Sequence, residues 1–326
     1  MSRVLVTGAG TPLGDAIVRR LLADPDWEVR ALTLDVPAQW LRESCETRRA
    51  EVAGGRVSGA PLEGCSHVLA LGPVEPGVRA RERMPYSVAR DATLLVPALL
   101  RDALEDGAAR FLYVGSALAA DNATRFPSTE RHIASCPPPR TALALAGLAV
   151  EDLCRAAQEE HGLALTICRP FGGYGPGERA GPHAGTAHVV ADLAERALAG
   201  ERPLQILGDG SQRRVLTHFD DLADGIVAAL AAGDAAGGEL NVAGHWELTV
   251  SELARLVWRA CGHDEEAFAL RALPAPAADV ARRAPSVRSI ARVAGWRARI
   301  TPAAGVAATV DWLRAARAAG RIDHGL

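Results

Sequence analysis

The sequence predicts an α/β fold class, a doubly wound parallel sheet with a smaller C-terminal lobe, and three observations carry that prediction. A short apolar run enters a glycine-rich turn and an apolar-striped helix. Strand-like and helix-like segments then alternate, and Gly and Pro interrupt the alternation between 171 and 185. At 326 residues and 48% hydrophobic content, the chain has material for one large domain with an elaborated second lobe.

The elements follow in order. Arg3–Val6 is an apolar strand, Thr7–Gly14 a glycine-rich turn, and Ile17, Val18, Leu21 and Leu22 stripe the next helix, which together make the first βα unit of a Rossmann-type sheet. Strands are predicted at Glu28–Leu34, near Arg48–Val52, at Val68–Leu71 and at Phe111–Val114. A helix over Ala142–Glu159 precedes the strand Ala164–Cys168, which stops at Arg169-Pro170. Helices over Val189–Leu198 and Asp221–Ala231 frame the later chain, with a strand at Glu239–Val242 placed to return to the sheet. The Ala/Pro-rich connector Leu273–Arg283 leads to a last helix over Ala303–Ala318. The predicted division is 1–170 for the sheet domain, joined by 214–245, and 171–213 with 246–326 for the second lobe.

Composition narrows the function. With 36 basic and 39 acidic residues and no basic run, the chain lacks the electrostatic footprint of a nucleic-acid binder. Cys45, Cys65, Cys136, Cys154, Cys168 and Cys261 show no metal-type pairing, so reduced thiols, a cytoplasmic location and no metal are expected. No apolar run reaches the roughly 18 residues of a membrane span, and no signal-peptide pattern is seen at the start. All 36 basic residues are Arg, so the chain has no Lys; Tyr occurs only at 86, 113 and 174.

The turn Thr7-Gly8-Ala9-Gly10-Thr11-Pro12-Leu13-Gly14 carries the strongest chemical signal. Glycines after a first strand let the backbone approach a pyrophosphate, which rests on the positive end of the next helix. These residues resemble the TGxxGxxG turn of the extended short-chain dehydrogenase/reductases, the NAD-dependent epimerase/dehydratase-like family, with Thr11 where the middle glycine usually stands. Further matches follow in family order. Phe111–Ser116 resembles the strand ending in the catalytic Ser/Thr, and Arg169-Pro170-Phe171-Gly172-Gly173-Tyr174-Gly175 resembles RPxNxYG. Leu207–Asp221 resembles GDGxQxR…HxxD, and Gly295-Trp296 with Asp311-Trp312 resembles the closing GW…DW.

The resemblance implies a dinucleotide bordered by Gly8, Gly10, Thr11, Pro12, Leu13, Gly14, Glu51, Val52, Leu71, Gly72, Pro170 and Phe171. The position at which the resemblance places a carboxylate for the ribose hydroxyls holds Thr33, with Asp35 two residues on able to substitute; loss of the carboxylate tilts the reading from NAD(H) towards NADP(H), with Arg30 or Arg42 as phosphate partners. The family's catalytic Tyr falls on Leu143, its Lys on Gly147 and its helix Asn on Ala89, and without Lys no register restores Tyr-x-x-x-Lys. Ser116 is left to assist, and His132 and Tyr174 are the candidate replacement acids, with His183, His188 and His218 also near the inferred cleft. Leu143, Gly147, Gly172, Gly173 and Arg214 are the expected substrate contacts, Arg214 matching the diphosphate-binding Arg while a second such Arg is missing from Pro274–Asp279.

Three functions remain open. The first is an atypical NAD(P)H-dependent ketoreductase acting on a bulky, largely apolar ketone such as a polycyclic polyketide of antibiotic biosynthesis. It resembles angucyclinone-type ketoreductases, which also dispense with Tyr/Lys, and its proton would come from water or substrate. The second is a non-catalytic dinucleotide sensor or partner protein, and the third a nucleotide-sugar epimerase or dehydratase with relocated groups. The resemblance also admits a homodimer.

Overall fold

The computed structural model describes residues 1–319 apart from 35, 50, 60, 73–74, 179, 182 and 234–237. Seven parallel strands form its main sheet: β1 (Ser2–Thr7), β2 (Trp27–Thr33), β3 (Glu46–Arg49), β4 (His67–Leu71), β5 (Arg110–Val114), β6 (Leu165–Pro170) and β7 (Glu239–Val242). Their order across the sheet is β7-β6-β5-β4-β1-β2-β3. The reversal of strand order at β1 opens a crevice at the carboxyl ends of β1 and β4, where open α/β sheets bind ligands.

Alternation along each strand sorts side chains to the two faces. Val4 and Val6 join Leu69, Leu71 and Leu112 under the helices Pro12–Leu22 and Phe219–Ala231. Leu5, Val68, Ala70, Phe111 and Tyr113 point the other way, against the helices Leu95–Glu105 and Ala142–His161. Both faces are thus covered, which is why these strands read as near-continuous apolar runs. Full burial of each such side chain is worth about 1.5–3 kcal/mol.

A separate core, including Leu193, Trp258, Val306 and Val310, builds the second lobe from the helices Val189–Leu198, Val250–Ala260 and Pro302–Ala318. The middle helix escaped the sequence reading although it carries a capping box, Thr249 Oγ1 accepting the Glu252 N–H at 3.0 Å while Glu252 Oε2 accepts the Thr249 N–H at 2.7 Å.

One strand differs from expectation. The segment predicted as Arg48–Val52 ends at Arg49, and Val52-Ala53 instead pairs with Arg56-Val57 in a hairpin. Gly54 and Gly55, at φ +57° and +73°, form its two-residue turn, a conformation in which a Cβ is strained.

The helix Ala142–His161 begins on Thr141, whose Oγ1 accepts the Ala144 N–H at 3.3 Å, and ends at Gly162 in the left-handed conformation at φ +69°. A buried ion network fixes it to the sheet. Arg169 Nε donates to Glu151 Oε1 at 2.7 Å and its Nη2 to Glu239 Oε2 at 2.6 Å, while Arg155 Nε donates to Glu239 Oε1 at 2.8 Å.

Two glycine substitutions test this packing. A Cβ at Gly14 would lie 2.0 Å from the Gly8 carbonyl oxygen, whereas one at Gly147 meets nothing within 4 Å. Gly14→Ala is therefore expected to destabilise by about 1–3 kcal/mol. Gly147→Ala, inside a helix, is expected to stabilise by about 0.5–1 kcal/mol. Urea unfolding curves check both, and equal midpoints for the two variants would contradict the packing described.

Candidate functional site

The first βα turn sits at the mouth of the crevice. Gly8 and Gly10 take φ +70° and +96°, and Thr11 caps the helix by accepting the Gly14 N–H at 3.1 Å. Thr7 Oγ1 clamps the Leu71 backbone, donating to its carbonyl at 2.9 Å and accepting its N–H at 2.8 Å, so β1 and β4 enter the crevice as one edge. Gly72 follows with open space where a Cβ would stand. The closeness of Gly14 to Gly8 is the cradle that a pyrophosphate needs.

The cradle's donor set is thin. Pro12 occupies the first helical position and has no N–H, and the Gly10 N–H donates to Asp15 Oδ1 at 2.8 Å. Among the described residues, the Leu13 N–H remains without a protein partner to face an anion. Burial raises the Asp15 pKa, against the Gly10 hydrogen bond and Arg19, which lower it. The residues fit a dinucleotide phosphate, with fewer donors than a turn bearing the middle glycine.

At the ribose end, Thr33 is buried at the close of β2, and Asp35 lies outside the described residues. Arg30 is not a phosphate partner. It is buried, donating to the Pro61 and Glu63 carbonyls at 3.0 and 2.6 Å and pairing with Glu46 at 2.9 Å, because its position in β2 turns it into the sheet. Arg42 is exposed on the helix Gln39–Ser44. Parallel register places Arg49 beside Thr33, and its Nε reaches the Leu34 carbonyl at 3.4 Å. This cation went unnoticed in the sequence because only strand pairing brings it there. Glu51 is exposed, its N–H bonded to Ser58 Oγ at 2.9 Å, and Val52 packs on the core.

At the reacting end, Ser116 Oγ accepts the Leu118 N–H at 3.0 Å as the cap of a short 3-10 turn, which leaves its O–H to donate. Leu143 is buried with Ala92, Leu118 and Ala144, a dry patch in place of a phenol. Gly147 leaves a gap on the same helix.

Five of the expected site residues are held in other roles for identifiable reasons. Tyr174 is buried in the second lobe's core with its hydroxyl against Gly305 and no hydrogen-bond partner, and burial raises its pKa far above the ordinary value. His132 completes a capping box with Thr129, its Nδ1 accepting the Thr129 N–H at 3.4 Å. Gly172, at φ +59°, is required by the chain itself, since a Cβ there would lie 1.8 Å from the Val215 carbonyl oxygen, and a Cβ at Gly173 would face Leu222 and Phe219. The Phe171 side chain packs on Ala119 and Ala120 beneath the Ser116 turn, so only its backbone borders the crevice. His218 is also structural: its Nδ1 accepts the Asp220 N–H at 3.3 Å.

The substrate side is more polar than expected. Strand pairing sets Arg214 next to Arg283. Arg214 Nη2 donates to Asp279 Oδ1 at 2.8 Å, and Arg283 Nε to Asp121 Oδ1 at 2.9 Å. Burial, then the charge of Arg283, lowers the Arg214 pKa to about 10 against the pull of Asp279. Beside these pairs is a cavity of about 190 Å³, lined by Asp121, Asn122, Arg140 and Thr141 on one side and residues 278–281 on the other. Among the described residues, no group of His, Cys, Asp and Glu is arranged to hold a metal ion, and no helix is long and apolar enough to cross a membrane.

Known proteins share this fold. The signature of the NAD dependent epimerase/dehydratase family matches residues 4–243. UDP-glucose 4-epimerase of Mycolicibacterium smegmatis is 30% identical over 329 residues, covering 96% of this chain and 98% of that protein. A dTDP-4-dehydro-6-deoxy-D-allose reductase of Streptomyces bikiniensis is 36% identical over 115 residues, about a third of either chain (35% and 34%). Among solved structures, UDP-glucose 4-epimerase of Thermus thermophilus in complex with NAD superposes with a TM-score of 0.81 at 25% identity, covering 96% of this chain and 99% of that one. The Thermotoga maritima UDP-glucose 4-epimerase with UDP-glucose has a TM-score of 0.83 at 23% identity, covering 97% and 99%.

The placement of Tyr174 has a direct consequence. Tyr174→Phe removes a buried hydroxyl without a partner, so stability is expected to stay level or rise by up to about 1 kcal/mol, with turnover unchanged. Thermal unfolding with a parallel rate assay checks this, and a large fall in rate would return the phenol to the chemistry.

Proposed function

This chain belongs to the NAD dependent epimerase/dehydratase family, and on that premise we propose that it is an atypical NAD(P)H-dependent ketoreductase. The observation that carries the reading is the emptied helix Ala142–His161, where Leu143 and Gly147 replace the Tyr and Lys that the family resemblance assigns to proton transfer. Epimerisation and dehydration need a hydroxyl to be deprotonated. Carbonyl reduction needs a nicotinamide held close to the carbonyl carbon and a proton for the oxygen.

Gly8, Gly14 and the Leu13 N–H would hold the pyrophosphate, and Gly72 would leave room beside it. A bound nicotinamide supplies hydride; Ser116 orients the carbonyl oxygen. The dry Leu143 patch and the Gly147 gap suit the flat face of a bulky ketone, a polycyclic polyketide being one such class, while Asn122 and Arg140 suit polar substituents farther in. The missing carboxylate at Thr33, with Arg49 beside it, supports NADP(H) over NAD(H).

A second reading, reduction of a nucleotide-linked keto sugar, is favoured by one feature: the adjacent Arg214 and Arg283 supply two cations where the sequence suggested one. Their pairing with Asp279 and Asp121 opposes it, because a diphosphate must displace both carboxylates.

Titration calorimetry with NADPH and NADH is expected to show binding of both, NADPH the tighter; binding of neither sinks the reading. Asp15→Asn, which takes a negative charge off the glycine turn, is expected to tighten coenzyme binding about 3- to 10-fold, a charge effect near 1 kcal/mol. Assays of 1-tetralone and a dTDP-4-keto-6-deoxy sugar then separate the substrates. Turnover of the first, insensitive to Arg214→Ala, is expected; turnover of the sugar alone, lost in Arg214→Ala, would favour the second reading.

A further inference from the structure

The loop after the Tyr174 segment carries a paired imidazole and carboxylate. His188 Nδ1 lies 2.5 Å from Glu178 Oε1, and the His188 backbone N–H donates to the same oxygen at 3.1 Å, so both ring and backbone are held by one carboxylate. Glu178 is itself buried, and its Oε2 has no partner. The imidazole is part-exposed, and among the described residues no group bonds its Nε2.

Packing places this pair over the crevice. Gly177, next to Glu178, lies against Pro12 at the start of the first helix, a Cβ there falling 3.5 Å from the proline ring. The other end of the loop is pinned to the segment leaving β4. The Arg79 N–H donates to the Gly185 carbonyl at 3.0 Å and its Nε to the Ala184 carbonyl at 2.6 Å. Glu75 and Arg81, from that same segment, act electrostatically on both His188 and Asp121, and Asp121 follows the Ser116 turn. His188 thus closes a loop that packs at one end on the glycine turn and at the other on the segment leaving β4, within reach of charges that also act on Asp121.

We propose that His188, oriented by Glu178, delivers the proton to the substrate oxygen in place of the absent Tyr/Lys pair. The proposal rests on the ketoreductase reading. With a reduced nicotinamide bound, its hydride would add to the carbonyl carbon as the C=O π pair moves to oxygen, and His188 Nε2 would give its proton to that oxygen. The products are the alcohol, oxidised nicotinamide and a neutral imidazole, which solvent reprotonates. Glu178 is a positioning residue: it receives the Nδ1–H, fixes the ring with Nε2 outward and stabilises the imidazolium.

The charges facing His188 agree with this role. Burial opposes the imidazolium, but Glu178, then Glu75, raise its pKa above the ordinary histidine value against the opposing charge of Arg81; Arg79 bonds the same loop's backbone. The imidazolium is thereby favoured relative to that of an ordinary histidine. Activity that depends on it falls as pH rises through this raised pKa, and removing the Glu178 charge moves that fall to lower pH.

The test uses the full chain labelled with ¹³Cε1-histidine, its His188 signal identified by its loss in His188→Gln. Without coenzyme or substrate, that signal is expected to titrate above ordinary histidine and to shift down in Glu178→Gln. With 1-tetralone and NADPH, His188→Gln is expected to lower kcat about 10²- to 10⁴-fold at similar KM, and Glu178→Gln to move the alkaline limb of kcat to lower pH. A His188 titration unmoved by Glu178→Gln overturns the pairing. Unchanged kcat and pH profile in His188→Gln, with wild-type turnover present, overturns His188 alone and assigns the proton to water or substrate. Absence of coenzyme binding by the unmodified chain overturns the ketoreductase reading and the proton-delivery role with it, a result distinct from the other two.

Discussion

Arg169 carries a full charge into a part of the molecule that water does not reach, and the groups that answer it set where the walls of the cleft lie. A lone guanidinium in that position would cost several kcal/mol, so it has to be met by carboxylates with good geometry. Glu151 reaches it from the helix Ala142–His161 and Glu239 from β7, while Arg155 ties the two carboxylates together. Burial works against the charge, but Glu151 and then Glu239 keep the Arg169 pKa raised, so Arg169 stays charged. Helix, β6 and β7 are locked into one register by four side chains.

This lock explains how the cleft keeps its shape after losing its usual chemistry. The helix is held through Glu151, beyond the positions where Tyr and Lys are absent, so the two sites are uncoupled. Leu143 closes into an apolar cluster with Leu118, and Gly147 leaves a gap that nothing fills. Neither change disturbs the strand ends that frame Ser116. Polar character has moved to the opposite wall, where Arg214–Asp279 and Arg283–Asp121 balance each other across the lobes.

The fold was readable because its causes are local. The unbroken apolar run Val4–Val6, buried on both faces, and the caps at Thr11 and Thr141 are written in adjacent residues. The absence of Tyr-x-x-x-Lys was equally plain, since composition alone excludes it. What sequence reasoning missed depends on distant pairing. Arg283 joins Arg214, and Arg49 joins Thr33, only through strand register. Gly172 looked like space for a substrate, but its reason is the Val215 carbonyl, 43 residues on. His132 and Tyr174 were attractive as isolated ionisable groups, and their neighbours make one a helix cap and the other a core side chain. His188 was one histidine among several until the loop fold set Glu178 against it.

The position of the acid bears on which direction of chemistry this cleft favours. An epimerase or dehydratase must first take a proton from a hydroxyl, which calls for a group that is neutral or anionic at working pH. A histidine whose imidazolium is favoured by Glu178 and Glu75 is less suited to that step than to the opposite one, meeting negative charge as it develops on a carbonyl oxygen. The same carboxylates that raise its pKa also make it a weaker acid, but the alkoxide left by hydride addition sits on a saturated carbon and is far more basic than an imidazole, so the transfer remains favourable. Substituents that lower the basicity of that alkoxide would reduce the dependence on His188. On this argument, the size of the His188 contribution should track the basicity of the product alkoxide across a series of ketones.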